Sequence, residues 1–131
     1  MMTAATAGAV GILQVLLALY TSRGRAKFKT GLGDGGHEEL ERRIRMHGNL
    51  TENAPMFLIL LGLVESSGLH PWLATVLGPV FVVCRVSHAY GLSATFGPGA
   101  NPFRAIGVLG TLIGMVVLAA ALLATALPRL V

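Results

Sequence analysis

The sequence predicts an all-α, integral membrane four-helix bundle, and two observations carry that prediction. The chain has 131 residues, of which 53% are hydrophobic and only 12% are charged. A water-soluble domain carries about 25% charged residues, so this chain has too few charges to cover a surface that faces water. Its apolar runs also approach the ~20 residues that a helix needs to cross a bilayer. We therefore expect a single transmembrane domain over residues 1–131, surrounded by membrane lipids.

The four helices are placed by apolar runs that charged or glycine-containing segments separate. The predicted helices cover about 4–20, 37–66, 71–92 and 104–127. The second helix needs the most justification, because its uninterrupted apolar part, residues 54–64, is too short to span a bilayer alone. That helix must therefore begin earlier, near His37.

Basic residues are concentrated in the connection between the first two helices. These residues are Arg23, Arg25, Lys27, Lys29, Arg42, Arg43 and Arg45. The loop at 66–70 contains no Lys or Arg, so the positive-inside rule places the first and third loops in the cytoplasm and both termini on the extracytoplasmic side. A net charge of +4 that is gathered in one loop fits an orientation signal better than a DNA-binding surface, so we expect no nucleic-acid partner.

One face of the second predicted helix carries three polar residues. Successive helical residues turn by about 100°, so Arg45, Asn49 and Glu52, spaced i, i+4 and i+7, share this face. Ionisable groups at the mouth of a membrane helix are costly unless they are paired or hydrated, which makes the cluster a candidate binding site. A structural interpretation stays open, in which Glu52 neutralises Arg45 and Asn49 bridges two helices by hydrogen bonding.

Further cationic residues lie on the same predicted side of the membrane. They are Arg23 near the end of the first helix, Arg85 and His88 one turn apart on the third, and Arg104 at the start of the fourth. Taken singly, each arginine could be an interfacial anchor and the histidine a hydrogen-bonded core residue. As a group with the arginine of the polar face, they require counter-anions, which Glu52 and an anionic ligand would supply. The histidines show no metal-ligand spacing, so no metal site is expected.

Several of these residues fall in a pattern that resembles a known family. The run E-R-x-x-R-x-H-x-N-x-x-E-N, followed by a proline and an apolar helix, resembles the MAPEG family, the membrane-associated proteins of eicosanoid and glutathione metabolism. The stretch G-D-G-G before that helix is similar to the bacterial branch of the family. C-R-V-S-H on the third helix and N-P-F-R at the start of the fourth fit in order and spacing. The resemblance covers most of the chain.

The resemblance implies a homotrimer of four-span protomers in a bacterial inner membrane, with glutathione as co-substrate between neighbouring subunits near the cytoplasmic face. The implied substrate-binding residues are Arg23, Arg45, Asn49, Glu52, Arg85 and His88, and the implied catalytic residue is Arg104. Arg104 matches the arginine that in some members stabilises the glutathione thiolate, and a nearby cation lowers the pKa of a thiol. The implied activity is that of a glutathione transferase or peroxidase, in which this thiolate attacks a small lipophilic electrophile arriving from the bilayer.

Three positions depart from the family pattern. The eicosanoid branch has tyrosines where this chain has Leu92 and Val108, and a serine where it has Ala105. These departures leave open a second function, that of a non-catalytic trimeric membrane protein that binds a lipid or a small thiol. A small four-span drug transporter is disfavoured, because such transporters usually need an acidic coupling residue in the first helix and residues 4–20 contain none.

Overall fold

The computed structural model describes residues 1–68, 70–93 and 101–127. Within these ranges the chain forms four helices and no strand. The helices are α1 (Met2–Phe28), α2 (Glu38–Ser67), α3 (Pro71–Gly91) and α4 (Pro102–Ala126). The predicted all-helical fold is confirmed.

Both ends of α1 and the start of α4 differ by two residues or more from the sequence-based boundaries. The first helix was expected to stop near Tyr20 but continues through Phe28, because the segment after the apolar run includes Arg23, Arg25, Ala26 and Lys27, which favour helix. It ends where Lys29 adopts the left-handed conformation, with φ 51°. The fourth helix begins at Pro102 rather than Arg104, since proline suits the first turn of a helix and Asn101 caps it.

Three of the four described helices are long and apolar enough to cross a membrane, namely α1, α3 and α4. The helix α2 is not among them, although its 30 residues are the longest run of helix in the described part of the chain. Its charged first half, with three glutamates in the first turn, lowers its mean hydropathy.

The helix α2 lies antiparallel against α1 from one end to the other. Near the start of α1 the Thr3 N–H donates to Glu65 Oε2 at 2.9 Å. In the middle, Gln14 Nε2 donates to Thr51 Oγ1 at 2.9 Å, and near the far end Lys27 Nζ lies 2.7 Å from Glu39 Oε2. The helix α2 is therefore about as long as α1, which is itself long enough to cross a membrane.

The core of the bundle is organised around the inner face of α2. Its buried apolar residues recur at spacings of three and four, the pattern of one helix face. They are Leu50, Ala54, Phe57, Leu61 and Val64. The Phe57 ring stacks on that of Phe81 from α3, with centroids 3.8 Å apart. The opposite face of α2 carries the polar residues discussed below in its first half and exposed apolar residues, among them Met56, Ile59 and Leu63, in its second half.

Glycines allow α3 and α4 to approach closely at the cytoplasmic end predicted from the loop charges. A Cβ atom on Gly107 of α4 would lie 2.6 Å from the carbonyl oxygen of Cys84 on α3. A Cβ atom on Gly91 would lie 2.6 Å from the backbone nitrogen of Arg104. Real Cβ atoms do not come so near to backbone, so these positions require glycine. This contact fixes Arg104 relative to the end of α3.

Candidate functional site

Arg85 lies at the centre of the candidate site and connects three helices. From α3, its guanidinium donates one hydrogen bond to Asn49 Oδ1 on α2 and another to the backbone carbonyl of Gly107 on α4. The same carbonyl accepts a bond from Thr111 Oγ1 at 2.9 Å. Arg85 is 3% exposed, and its Nε has no hydrogen-bond partner in the described part of the chain. Such a buried cation is held in place by fixed acceptors on both neighbouring helices.

Arg45 and Glu52 form an ion pair on the outer face of α2. Arg45 Nη1 lies 3.7 Å from Glu52 Oε1, and the two side chains are 56% and 58% exposed. The structural interpretation expected Glu52 to neutralise Arg45 and Asn49 to bridge two helices. Both contacts are present, since Glu52 pairs with Arg45 and Asn49 accepts a hydrogen bond from Arg85 of α3. Both ionised groups nonetheless keep much of their surface free for another partner.

His88 lies on α3 where that helix packs against the start of α4. It is 4% exposed, with its Cβ 2.6 Å from the position that a Cβ on Gly107 would take. Arg85 lies one turn before it on the same helix, and the end of α3 packs against the backbone of Arg104 at Gly91. The Nδ1 atom of His88 has no hydrogen-bond partner among the described residues. The structure thus places His88 between Arg85 and the start of α4.

Arg104 borders a cavity at the start of α4. This cavity has a volume of about 370 Å³ and is lined by Asn101, Arg104, Ala105 and Val108. Asn101 Oδ1 accepts a hydrogen bond from the Arg104 backbone N–H at 2.9 Å, while Asn101 Nδ2 donates to the Gly91 carbonyl at 2.6 Å. The side chain of Asn101 therefore ties the first turn of α4 to the end of α3. Two of the positions that depart from the family pattern give the cavity an apolar wall.

Arg23 is the one predicted site residue that the described structure leaves apart from the others. It is exposed on α1, and no contact joins it to Arg45, Arg85 or Arg104 within the described ranges. Leu92, where the family pattern has a tyrosine, is partly buried and packs against the apolar core. Within a single chain, the site therefore consists of residues from α2, α3 and α4.

Sequence reasoning missed a polar contact between α1 and α2. Gln14 Nε2 lies 2.8 Å from His47 Nε2 and also donates to Thr51 Oγ1. An amide nitrogen only donates, so in this contact His47 Nε2 takes the role of the acceptor. Gln14 is the one polar side chain in the apolar run 10–19, and a single polar residue in such a run indicates a hydrogen bond to a neighbouring helix.

A second missed group joins the ends of α1 and α2 next to the glycine-rich loop. The Arg43 guanidinium lies over the Tyr20 ring, 3.9 Å from its centroid, and donates to the Tyr20 carbonyl at 3.0 Å. It also pairs with Glu39, which in turn pairs with Lys27. Arg43 and Lys27 thus serve packing as well as orientation, which reduces the number of cations that are free to bind a ligand.

Comparison with known proteins agrees with the architecture. The model of the MAPEG family matches residues 3–124. Inner membrane protein YecN of Escherichia coli (strain K12) is 34% identical over 84 residues, which cover 61% of this chain and 64% of that protein. Inner membrane protein YecN of Escherichia coli O6:H1 gives the same identity and coverage. The chain thus spans just under two-thirds of the length of these relatives. Since the family match runs from the first turn of α1 almost to the end of α4, the chain belongs to the MAPEG family.

Proposed function

We propose that this MAPEG membrane protein binds glutathione between subunits of a homotrimer, near the cytoplasmic face, and transfers it to lipophilic electrophiles from the bilayer. The observation that carries the proposal is that Arg85 joins the helix face of Arg45 and Asn49 to the start of α4, where Arg104 borders a cavity of about 370 Å³. Within the described residues these cations outnumber the nearby carboxylates, of which Glu52 is the closest partner of Arg45. A ligand with negative charge would restore the balance.

Glutathione fits this charge pattern. It carries two carboxylates and one ammonium group, so it needs several cationic partners and one anionic partner. Arg45 and Arg104 would hold carboxylate or thiolate groups, and Glu52 is available for the ammonium group. Arg23 would reach the ligand from a neighbouring subunit, which accounts for its position away from the other site residues in a single chain. The donor set is therefore suited to a zwitterionic peptide with excess negative charge.

The depth of Glu52 supports an assembly of several copies. We take Glu65 as one edge of the hydrocarbon layer. A layer of ~30 Å corresponds to about 20 helical residues at 1.5 Å per residue, so the other edge lies at the level of Met46. Glu52 then lies about 9 Å inside the hydrocarbon layer, on the outer face of α2. An ionised carboxylate facing lipid at that depth is unfavourable, and so is its arginine partner. A second copy of the chain, with water and ligand between the copies, would shield the pair.

For catalysis, the chain supplies a cation and an apolar wall. Bound glutathione would contribute its sulfur, which forms a bond to the electrophilic carbon while the leaving group departs with the electron pair. Arg104 would lower the pKa of the glutathione thiol by stabilising the thiolate. Ala105 and Val108 would accept the lipophilic partner in the same cavity. With no serine or tyrosine hydroxyl at these positions, thiolate stabilisation rests on the arginine.

Calorimetric titration of glutathione into the detergent-purified protein tests the binding step. Arg45→Ala and Glu52→Ala should each weaken the affinity at least tenfold, because each removes one charge-assisted contact worth roughly 1.5–3 kcal/mol. Glu41→Ala is the matched control, since Glu41 is an exposed carboxylate of the same helix outside the proposed site. Unchanged affinity in both site variants would show that the pocket has been assigned to the wrong residues.

The orientation of the protomer is part of the proposal, with the site open to the cytoplasm and all four helices crossing. Antiparallel packing along the whole of α1 supports a crossing by α2, and the basic first loop supports the direction. Alkaline phosphatase fused after Val131 should be active in cells, because it folds only outside the cytoplasm. If the phosphatase is inactive and a cytoplasmic reporter fused at the same position is active, the C-terminus lies in the cytoplasm and the proposed orientation is wrong.

The second candidate function is that of a non-catalytic binding protein. The apolar Ala105 and Val108 in the cavity wall favour it, because they leave the proposed thiolate without hydroxyl donors. Such a protein would bind glutathione or a lipid and show no turnover. Glutathione-dependent turnover by wild type and by Arg104→Ala distinguishes this binding protein from the transferase.

A further inference from the structure

The hydrogen bond between Arg85 and Asn49 fixes which end of the Asn49 side chain faces outward. A guanidinium group donates hydrogen bonds and accepts none, so the Asn49 atom that it contacts must be the carbonyl oxygen Oδ1. The amide nitrogen Nδ2 therefore points the other way. Asn49 is partly buried, and the hydrogen bonds found for it among the described residues use Oδ1 and the backbone carbonyl, which leaves Nδ2 as a donor.

Arg85 is itself held rigidly enough to set this orientation. Its second bond goes to the carbonyl of Gly107, in the glycine contact where α3 and α4 lie closest. At 3% exposure it is almost fully enclosed, whereas Arg45 and Glu52 of the neighbouring helix face are more than half exposed. None of the ion pairs found in the described residues includes Arg85. Neutral acceptors alone hold it, and Asn49 is the one that reaches the outer face.

We propose that Arg85 is a positioning residue, which turns the Asn49 amide so that its N–H groups face the ligand and select a hydrogen-bond acceptor there. The ligand group opposite Asn49 would then be a carboxylate or an amide carbonyl, as in a peptide such as glutathione. This inference rests on the proposed function for the identity of the ligand. It assigns Arg85 a role through Asn49 rather than a direct contact with the bound molecule.

The orientation can be measured without any ligand. The chain contains three asparagines, Asn49, Asn53 and Asn101, so protein labelled with ¹⁵N-asparagine gives three pairs of side-chain amide signals. Asn53→Gln and Asn101→Ser identify the Asn49 pair by elimination. Arg85→Met should shift that pair and bring its two proton signals closer together, because the amide becomes free to rotate. An Asn49 pair that is unchanged in Arg85→Met would overturn the proposal.

Glutathione affinity then tests whether Arg85 acts through Asn49. Calorimetry on the four members of a double-mutant cycle should give about tenfold weaker binding for Asn49→Ala and for Arg85→Met. The double variant should bind no more weakly than Asn49→Ala alone, since both changes remove the same contact. Additive losses, of about a hundredfold in the double variant, would mean that Arg85 touches the ligand itself and would overturn the positioning role.

Two further variants separate positioning from general damage to the fold. Thr111→Val removes the other donor to the Gly107 carbonyl but leaves the Arg85–Asn49 bond in place, so its glutathione affinity should stay within twofold of wild type. Asn49→Asp keeps an acceptor for Arg85 and loses the outward donor, so it should fold normally and bind at least tenfold more weakly. Retained affinity in Asn49→Asp would overturn the donor requirement. If wild type binds no glutathione, the proposed function fails, and the amide signals alone decide whether Arg85 orients Asn49.

Discussion

Gly107→Ala is expected to destabilise the folded protein by about 3 kcal/mol, the upper end of the cost of overpacking a tight interior. The added methyl group would lie 2.6 Å from the Cys84 carbonyl oxygen and 2.7 Å from the His88 nitrogen, both of which are backbone atoms. Backbone cannot move aside as a flexible side chain does, so α4 would have to separate from α3. That separation also displaces the carbonyl that Arg85 uses.

Thermal unfolding in detergent, followed by circular dichroism or light scattering, measures this effect. Gly11→Ala is the matched control, because a Cβ at Gly11 of α1 meets nothing within 4 Å in the described structure. The control should unfold at the wild-type temperature and Gly107→Ala several degrees lower, or the variant should fail to accumulate in membranes. Equal unfolding temperatures for the two variants would contradict the close α3–α4 contact.

Arg104→Ala is expected to lower glutathione-dependent turnover at least a hundredfold while glutathione affinity falls much less. Removal of one donor that stabilises developing negative charge typically costs ~10²–10³ in rate. The effect should be near the top of that range here, because Ala105 and Val108 offer no hydroxyl group to share the task. The pH at which turnover reaches half of its maximum should also rise, since the thiol pKa moves back towards its value in water when the cation is lost.

Conjugation of a chlorinated dinitrobenzene, recorded across a pH series, provides the measurement. Thr125→Ala is the control, because its hydroxyl bonds only to the Leu122 carbonyl in the described structure, at the opposite end of α4. Turnover by wild type and control that Arg104→Ala loses would support the transferase. Absence of turnover in wild type, with glutathione binding intact, would leave the non-catalytic binding protein. Equal rates for wild type and Arg104→Ala would remove Arg104 from the catalytic role.

Much of the fold could be predicted from the sequence because the membrane imposes a simple length rule. Apolar runs located α1, α3 and α4, and the rule that a short apolar run must be extended located the start of α2 within one residue of Glu38. Helix ends were less accurate, since the drop in hydropathy marks the end of the apolar run, whereas polar residues such as Arg23 and Arg25 continue the helix beyond it. Tyr20 marks the end of the apolar run, whereas Phe28 marks the end of the helix.

The candidate site could be predicted in part. Helical spacing placed Arg45 and Glu52 on one face, and the pair is present. The partners of Arg85 could not be predicted, because they depend on the register and rotation of three helices, which the periodicity of each helix leaves undetermined. The contact of Gln14 with His47 escaped for the same reason.

A structure of the detergent-purified protein with glutathione tests the proposed site most directly. We propose that Arg45, Asn49, Glu52 and Arg104 surround one peptide ligand in an intersubunit cavity open to the cytoplasm. We expect glutathione density between copies of the chain, with its sulfur near Arg104, an acceptor group facing Asn49 Nδ2, and Arg85 still bonded behind Asn49. A structure at saturating glutathione in which Arg45 and Glu52 pair only with each other, and no density lies between them and Arg104, would contradict the proposal.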